Sequence, residues 1–254
     1  MESKSATAEK FTGVSRGWSE REYHDPVSFM ERRAALVCDW GVQLRPGDRI
    51  LELGCGDGAL SCFLASKGFT VTGIDISPGM IEEAKQRAVR EGVSVRFEVA
   101  DGDSFEVAEP YDGVISFMSA FFTYFEHPAE FISRVLPFVR KKLIVDWNFR
   151  SAGTFVDAAE VLRSAGLANV EWRPWLVPNT MVSMSRLGAR NWIENHANLS
   201  LILLALKRWH YTVQLKGDKI GADKVSDGSN GWHGNRLPGT LLQRALMRVG
   251  SLTR

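Results

Sequence analysis

Cysteine is scarce in this chain. Among 254 residues there are three, Cys38, Cys55 and Cys62. An odd count without metal-ligand spacing excludes a disulfide framework and reads as reduced thiols in a cytoplasmic protein. Charge of one sign is lacking as well. Lys and Arg number 31 against 30 Asp and Glu, a formal net charge of +1. That leaves no global field for nucleic acid, and no nucleic-acid partner is expected. Long apolar runs are absent. The longest, residues 199–206, is interrupted by Ser200 and is too short to span a bilayer. The first residues contain no apolar segment of the secretory kind. Histidines number five, and no two share a helix face with a carboxylate at ligand spacing, so no metal is expected. What remains is the composition of an ordinary globular protein, long enough for one sizeable core.

The pattern that is present alternates strand with helix. Residues 1–10 are polar and expected to be mobile. Asp25 can cap a helix that has Pro26 at its first position and ends at Gly41. Residues 50–53 form a short apolar run of the kind that makes a buried parallel strand. Gly54, Cys55, Gly56, Asp57 and Gly58 follow at once. Leu60, Phe63 and Leu64 then return at helical spacing, up to Gly68. A second strand covers 69–74, with Asp75 at its end. Ser77 and Pro78 open a helix that Gly92 closes. Strands are predicted at 93–99, 111–118, 143–145 and 170–177. Helices are predicted after Pro128, and after Thr154, which forms a capping box with Asp157. Such alternation argues for a parallel sheet with helices on both faces. Past Pro178 the order breaks. Residues 209–215 can make a last strand, 217–239 are glycine-rich loop, and 240–249 form a basic amphipathic helix.

A strand, a glycine turn and a helix bring free N–H groups and a positive dipole end to one point. Gly54 and Gly56 lack a Cβ, so a ligand can approach the backbone there. Asp75 follows the turn at close to the ~20 residues expected of an acid that accepts from ribose hydroxyls. Ile76 and Met80 would lie against an adenine face. By themselves these glycines also fit the turn of a nicotinamide dinucleotide fold.

Glu52, Leu53, Gly54, Cys55, Gly56, Asp57 and Gly58 resemble motif I of the class I methyltransferases that use S-adenosylmethionine. The resemblance runs over roughly residues 25–177. It implies an α/β, doubly wound, mostly parallel seven-stranded sheet with an antiparallel last strand. A helical N-terminal lid and a helical insertion before the last strand complete the expected fold. The chain is read as one domain, 1–254. Within it, 1–24 is tail and lid segment, 25–177 cofactor-binding core, 178–208 insertion or substrate lid, and 209–254 last strand and C-terminal helix.

The same resemblance gives Glu52 the task of organising the turn and meeting the methionine amino group of S-adenosyl-L-methionine, where a dinucleotide enzyme usually has an apolar residue. It implies that Tyr23 reaches the site from the segment before the lid helix. Asp101, beside Gly102, would accept from the adenine amino group. Phe117 and Met118 would lie at the cofactor end of the fourth strand. The motifs of adenine and cytosine methyltransferases are missing. Residues 119–122 read Ser-Ala-Phe-Phe where an Asn/Asp-Pro-Pro-Tyr/Phe would stand, and no cysteine follows a proline.

The resemblance is silent on substrate. The aromatic residues Phe121, Phe122 and Tyr124, with Trp147 after the fifth strand and Trp192 in the insertion, suit an apolar or aromatic small molecule. The expected activity is methyl transfer to an O, N or C atom of such a molecule. If the acceptor enters protonated, His127 or His196 is the candidate base. Alternatives are a methyltransferase of protein or lipid, a non-catalytic cofactor-binding homologue, and an NAD-dependent oxidoreductase. The apolar insertion could also serve a homodimer.

Overall fold

Ile50, Leu51 and Leu53 are fully buried. A strand covered on both faces needs that pattern, and each such side chain contributes roughly 1.5–3 kcal/mol. They belong to β1 (Arg49–Leu53), near the middle of a seven-stranded sheet. The computed structural model describes residues 3–23, 25–117, 121, 125–148, 155–176 and 211–219.

In chain order the elements are α1 (Lys4–Val14), α2 (Trp18–Glu22), α3 (Pro26–Asp39), β1, α4 (Ala59–Ser66), β2 (Thr70–Asp75), α5 (Pro78–Glu91), β3 (Arg96–Val99) and β4 (Tyr111–Ser116). Then come α6 (Pro128–Val135), a short 3₁₀ turn (Leu136–Phe138), β5 (Val139–Asn148), α7 (Phe155–Ser164), β6 (Leu167–Leu176) and β7 (Tyr211–Lys219). The sheet order is β3-β2-β1-β4-β5-β7-β6. Strands β1 to β5 pair in parallel, and β7 pairs antiparallel with both β5 and β6.

The chain builds outward from β1 to β3, then crosses back to lay β4 beside β1. Connections leave β1 and β4 in opposite directions, and that opens a crevice above their carboxyl ends. The loops after β1, β2 and β3 form its rim, and β4 brings Phe117 to it.

Alternation along β1 divides the core. Ile50 faces α3 and α4 with Phe29, Leu36, Val37, Leu60 and Leu64. Leu51 and Leu53 face the other layer with Phe131, Ile132, Leu143 and Leu162. Glu52 lies two residues after Ile50, so it projects toward α3 and α4.

The caps act as the sequence implies. Asp25 accepts from Ser28 N at 3.1 Å and Ser77 from Met80 N at 3.2 Å. Gly92 closes α5 at φ 65°.

Four expectations are corrected. The polar N-terminus, expected to be mobile, contains α1, capped by Ser3 through Ala6 N at 3.2 Å. The third strand is shorter than 93–99 and starts at Arg96. The fifth strand starts at Val139 rather than Leu143, because β4 pairs with it from Tyr111 onward. The last strand runs from Tyr211 to Lys219 and reaches past 215, since β5 and β6 give it partners on both edges. The expected insertion at 178–208 and the helix at 240–249 lie outside the described residues. No described helix is long and apolar enough to cross a membrane.

Candidate cofactor site

The glycine turn after β1 is built by backbone conformation. Gly54, Gly56 and Gly58 all take positive φ, at 68°, 55° and 73°. Two of them differ in what surrounds them. A Cβ on Gly58 would meet Phe97 Cζ at 2.7 Å and Ala84 Cβ at 2.8 Å, so that glycine lets α4 approach α5. A Cβ on Gly56 would meet nothing within 4 Å. The turn therefore presents open space at Gly56, with a backbone only glycine adopts cheaply.

Asp75 holds this turn. Its Oδ2 accepts from Gly56 N at 2.9 Å, and its Oδ1 accepts from Ser77 N at 2.8 Å. Each oxygen keeps a further acceptor site for a ligand hydroxyl. Burial raises the Asp75 carboxyl above its ordinary range, against those two backbone hydrogen bonds. Cys55 is buried against α4, α5 and Phe97 of β3, and burial pushes its thiol well up. It packs as a small apolar residue and is no nucleophile.

Glu52 is 2 % exposed. The Ser61 hydroxyl donates to its Oε2. Burial pushes its carboxyl up to about 7, against that hydrogen bond and the nearby Arg33 guanidinium.

Arg33, of α3, is 4 % exposed. Its guanidinium carbon lies 4.2 Å from the Phe29 ring centroid, 5.5 Å from Tyr23 and 5.8 Å from Phe117. Its Nε and Nη2 have no hydrogen-bond partner among the described residues. A buried cation with two unanswered donors is a demand for an anion. Tyr23 is buried and packs on Phe29 at 4.3 Å between centroids. Phe117 is buried beside them. The structure thus brings Tyr23, Glu52, Phe117, the glycine turn and Asp75 to one crevice, and adds Arg33.

Asp101 and Gly102 lie on the same rim after β3. Asp101 Oδ2 receives the Lys4 ammonium at 2.7 Å, and its Oδ1 accepts from Asp103 N at 3.1 Å. A Cβ on Gly102 would meet the Phe125 ring. Met80 is buried, and Ile76 is half-buried on the β2 loop.

Other expected residues fall elsewhere. Phe121, expected to line a substrate pocket, is fully buried in the core against Phe125 at 4.3 Å and Phe131 at 5.8 Å. Its ring is held by core packing and presents no surface. Trp147 is half-buried and packs on the same core. His127 caps α6 without a side-chain bond, with its ring 67 % exposed and 4.0 Å from Glu130. Met118, Phe122, Tyr124, Trp192 and His196 lie outside the described residues. No group of three or more His, Cys, Asp or Glu that could hold a metal ion occurs among the described residues.

Asp57, inside the glycine turn, was not singled out for a role by the sequence. It accepts from Ser19 N at 2.9 Å, Ser19 Oγ at 2.6 Å and Arg87 Nη2 at 2.8 Å. A carboxylate in that turn, with an arginine three helical turns into α5, was the available signal.

Residues 50–142 match a family model described as a methyltransferase domain. The chain is 31 % identical over 131 residues to a ribosomal protein L11 methyltransferase of Thermus thermophilus, covering 52 % of this chain and 48 % of that one. It is 32 % identical over 116 residues to a ubiquinone biosynthesis O-methyltransferase of Pseudomonas savastanoi, covering 41 % and 46 %. The chain spans about half the length of these curated relatives. Among solved structures, a magnesium protoporphyrin IX methyltransferase of Synechocystis PCC 6803 with bound S-adenosylhomocysteine superposes with TM-score 0.59 at 18 % identity, covering 85 % of this chain and 99 % of that one. The 4+2 cyclase SpnF superposes with TM-score 0.61 at 17 % identity, covering 85 % and 96 %. At these identities the superpositions speak for the fold. The chain is thus similar in sequence to methyltransferases around the glycine turn, over residues 50–142, and its sheet and helices have the fold of S-adenosylmethionine-dependent methyltransferases.

Proposed function

We propose that this protein transfers a methyl group from S-adenosylmethionine to an O, N or C atom of a small apolar or aromatic molecule. The observation that carries the cofactor half is the buried Arg33 guanidinium beside the buried Glu52. Together they bring a buried cation and a buried acid to one crevice, one for each charged end of an amino acid. A nicotinamide dinucleotide offers no such zwitterion.

The residues fit the cofactor as a set. Arg33 would answer the methionine carboxylate with its two free donors, and Glu52 the ammonium. The room at Gly56 would take the ligand against the backbone, and Asp75 would accept from the ribose hydroxyls. When bound, the cofactor supplies an electrophilic methyl carbon on a sulfonium. The chain's own work is position and desolvation. Tyr23 and Phe117 exclude water around the charged end. His127 is too exposed to hold a proton for a desolvated nucleophile, so we route no proton through it.

The small-molecule half is supported by the near-neutral charge, which supplies no field for a polyanionic substrate. One relative's name refers to ubiquinone biosynthesis and another's to a ribosomal protein, so both substrate classes belong in the test. Calorimetric titration should give saturable binding of S-adenosylhomocysteine and none of NAD. A methyl-transfer screen with labelled cofactor should then place label in phenols, amines or other small acceptors. Label only in tRNA or peptide would remove the small-molecule half. Saturable NAD binding without a response to S-adenosylhomocysteine would remove both.

Asp75→Asn keeps the shape but removes the charge and one acceptor oxygen. We expect affinity for S-adenosylhomocysteine to fall roughly tenfold, about 1.4 kcal/mol, within the range for a hydrogen bond to a charged group. Unchanged affinity in a folded variant would take the ribose role from Asp75.

A further inference from the structure

We propose that α1 and α2 form a strap across the cofactor crevice, with Lys4 as its clasp, and that its opening sets the rate of cofactor exchange. The inference rests on the cofactor reading above, and goes beyond it to the path by which the ligand enters and leaves.

Three contacts define the strap, one on each rim loop. Ser19 of α2 donates through N and Oγ to Asp57, in the loop after β1, at 2.9 and 2.6 Å. Thr12 of α1 meets Ser77 Oγ at 2.9 Å, in the loop after β2. Lys4 reaches Asp101 Oδ2 at 2.7 Å and Asp103 Oδ2 at 2.9 Å, in the loop after β3. One segment of chain therefore crosses the carboxyl ends of three adjacent strands. Those loops carry the open glycine turn, Asp75 and Asp101.

The contacts differ in strength. Asp57 is 2 % exposed and also holds Arg87, so the α2 end is anchored in the core. The α1 end is not. Of its residues only Thr7 is buried, and it has no apolar stripe. Its seat on α5 is Thr12 against Gly79, where a Cβ would come within 2.9 Å of Thr12 Cα. Lys4 and Asp101 each keep about a third of their side-chain surface in solvent. The aromatic contact of α1 is with α2, where Phe11 packs edge-on against Trp18 at 5.7 Å; toward the rim loops α1 is held by polar and ionic contacts with little apolar area beneath it, and those open at low cost. Between the two ends stands Gly17 at φ 61°, where a Cβ would meet only Glu20 Oε2, at 4.0 Å. It provides a joint at which α1 can swing while α2 stays fixed.

The experiment uses the full-length protein with Lys4→Gln and Gly79→Ala. The first removes the clasp's charge, and the second lifts α1 from its seat without touching the clasp. Both sites are at the surface or at a helix start, so folding is expected to survive. Release of S-adenosylhomocysteine is followed by stopped-flow tryptophan emission, and trypsin cleavage after Lys10 and Arg16 is followed in parallel. We expect release roughly fivefold faster in both variants, the scale of an exposed ion-pair network. Added potassium chloride should speed release from the wild type but not from Lys4→Gln, because the clasp is ionic. Cleavage should be faster in both variants and slower when ligand is bound. Wild-type binding with unchanged release in both variants would overturn the strap and leave the cofactor reading standing. So would cleavage indifferent to a ligand that binds. No binding of S-adenosylhomocysteine to the wild type would overturn both.

Discussion

Arg33→Met is expected to weaken binding of S-adenosylhomocysteine roughly 100-fold, about 2.7 kcal/mol, without costing the apoprotein its fold. The guanidinium is enclosed by Phe29, Tyr23 and Phe117, and two of its nitrogens donate to nothing among the described residues. A carboxylate accepting from both would make a paired, charge-assisted bond in a site shielded from water. Methionine keeps much of the volume and removes a buried charge that lacks those partners, so stability should hold or rise. Arg33→Lys should fall between, since an ammonium cannot present the planar fork. Methylthioadenosine supplies the control. It has the nucleoside and the thioether but no amino acid, so wild type and Arg33→Met should bind it equally. An equal loss for both ligands would show that Arg33 supports the pocket's shape and does not read the carboxylate.

Arg33 was within reach of sequence reading. Phe29, Met30, Ala34 and Val37 mark the buried face of α3, and Arg33 sits on that face at helical spacing. A charge inside an apolar stripe demands a partner, and α3 offers none of its own. The strand, turn and helix around Gly54 were legible because their chemistry is local. Gly56 and Gly58 need positive φ, and Ser77, Pro78 and Gly92 mark the ends of α5. What escaped depends on distant partners. Helix α1 has no apolar face to betray it, and Lys4 finds Asp101 across 97 residues of chain. The start of β5 reads Val-Arg-Lys-Lys, which looks like a charged surface turn. Its Lys142 is nonetheless fully buried, because strand pairing with β4 and β7 fixes its face toward α3. The aromatic cluster after β4 looked like a pocket by density alone. Sequence could not separate a ring facing a ligand from Phe121, which faces Phe131.

That lysine and Glu52 together give the apoprotein an unusual dependence on pH: its stability should pass through a minimum near pH 7. Glu52 sits at about 7, raised by burial from an ordinary 4.5. Between those values the native state holds a proton that the unfolded state releases, so stability falls as pH rises to 7 and is flat beyond. Lys142 sits at about 7 too, lowered from 10.5 by burial and by the neighbouring Lys216. Between 7 and 10.5 the unfolded chain holds the proton that the native state has lost, so stability rises with pH. Asp75, raised by burial, adds to the acid limb. Raised thiols and the raised Tyr23 phenol work against the alkaline limb at high pH, so the useful window is about pH 5 to 8.5. Within it each limb should amount to about 1–2 kcal/mol, a few degrees in melting temperature. Denaturant titrations across that window read the curve. Glu52→Gln should flatten the acid limb, and so should bound S-adenosylhomocysteine, whose ammonium would hold Glu52 ionised. Lys142→Met should flatten the alkaline limb and raise stability at pH 7 by about 1–3 kcal/mol. The gain is limited because Lys142 donates to the Trp40 and Cys38 carbonyls at the end of α3, at 2.9 and 3.3 Å, and methionine leaves both unanswered. A wild-type curve that rises steadily from pH 5 to 8.5 would mean that Glu52 is ionised throughout. The amino-acid end of the site would then be set before any cofactor arrives.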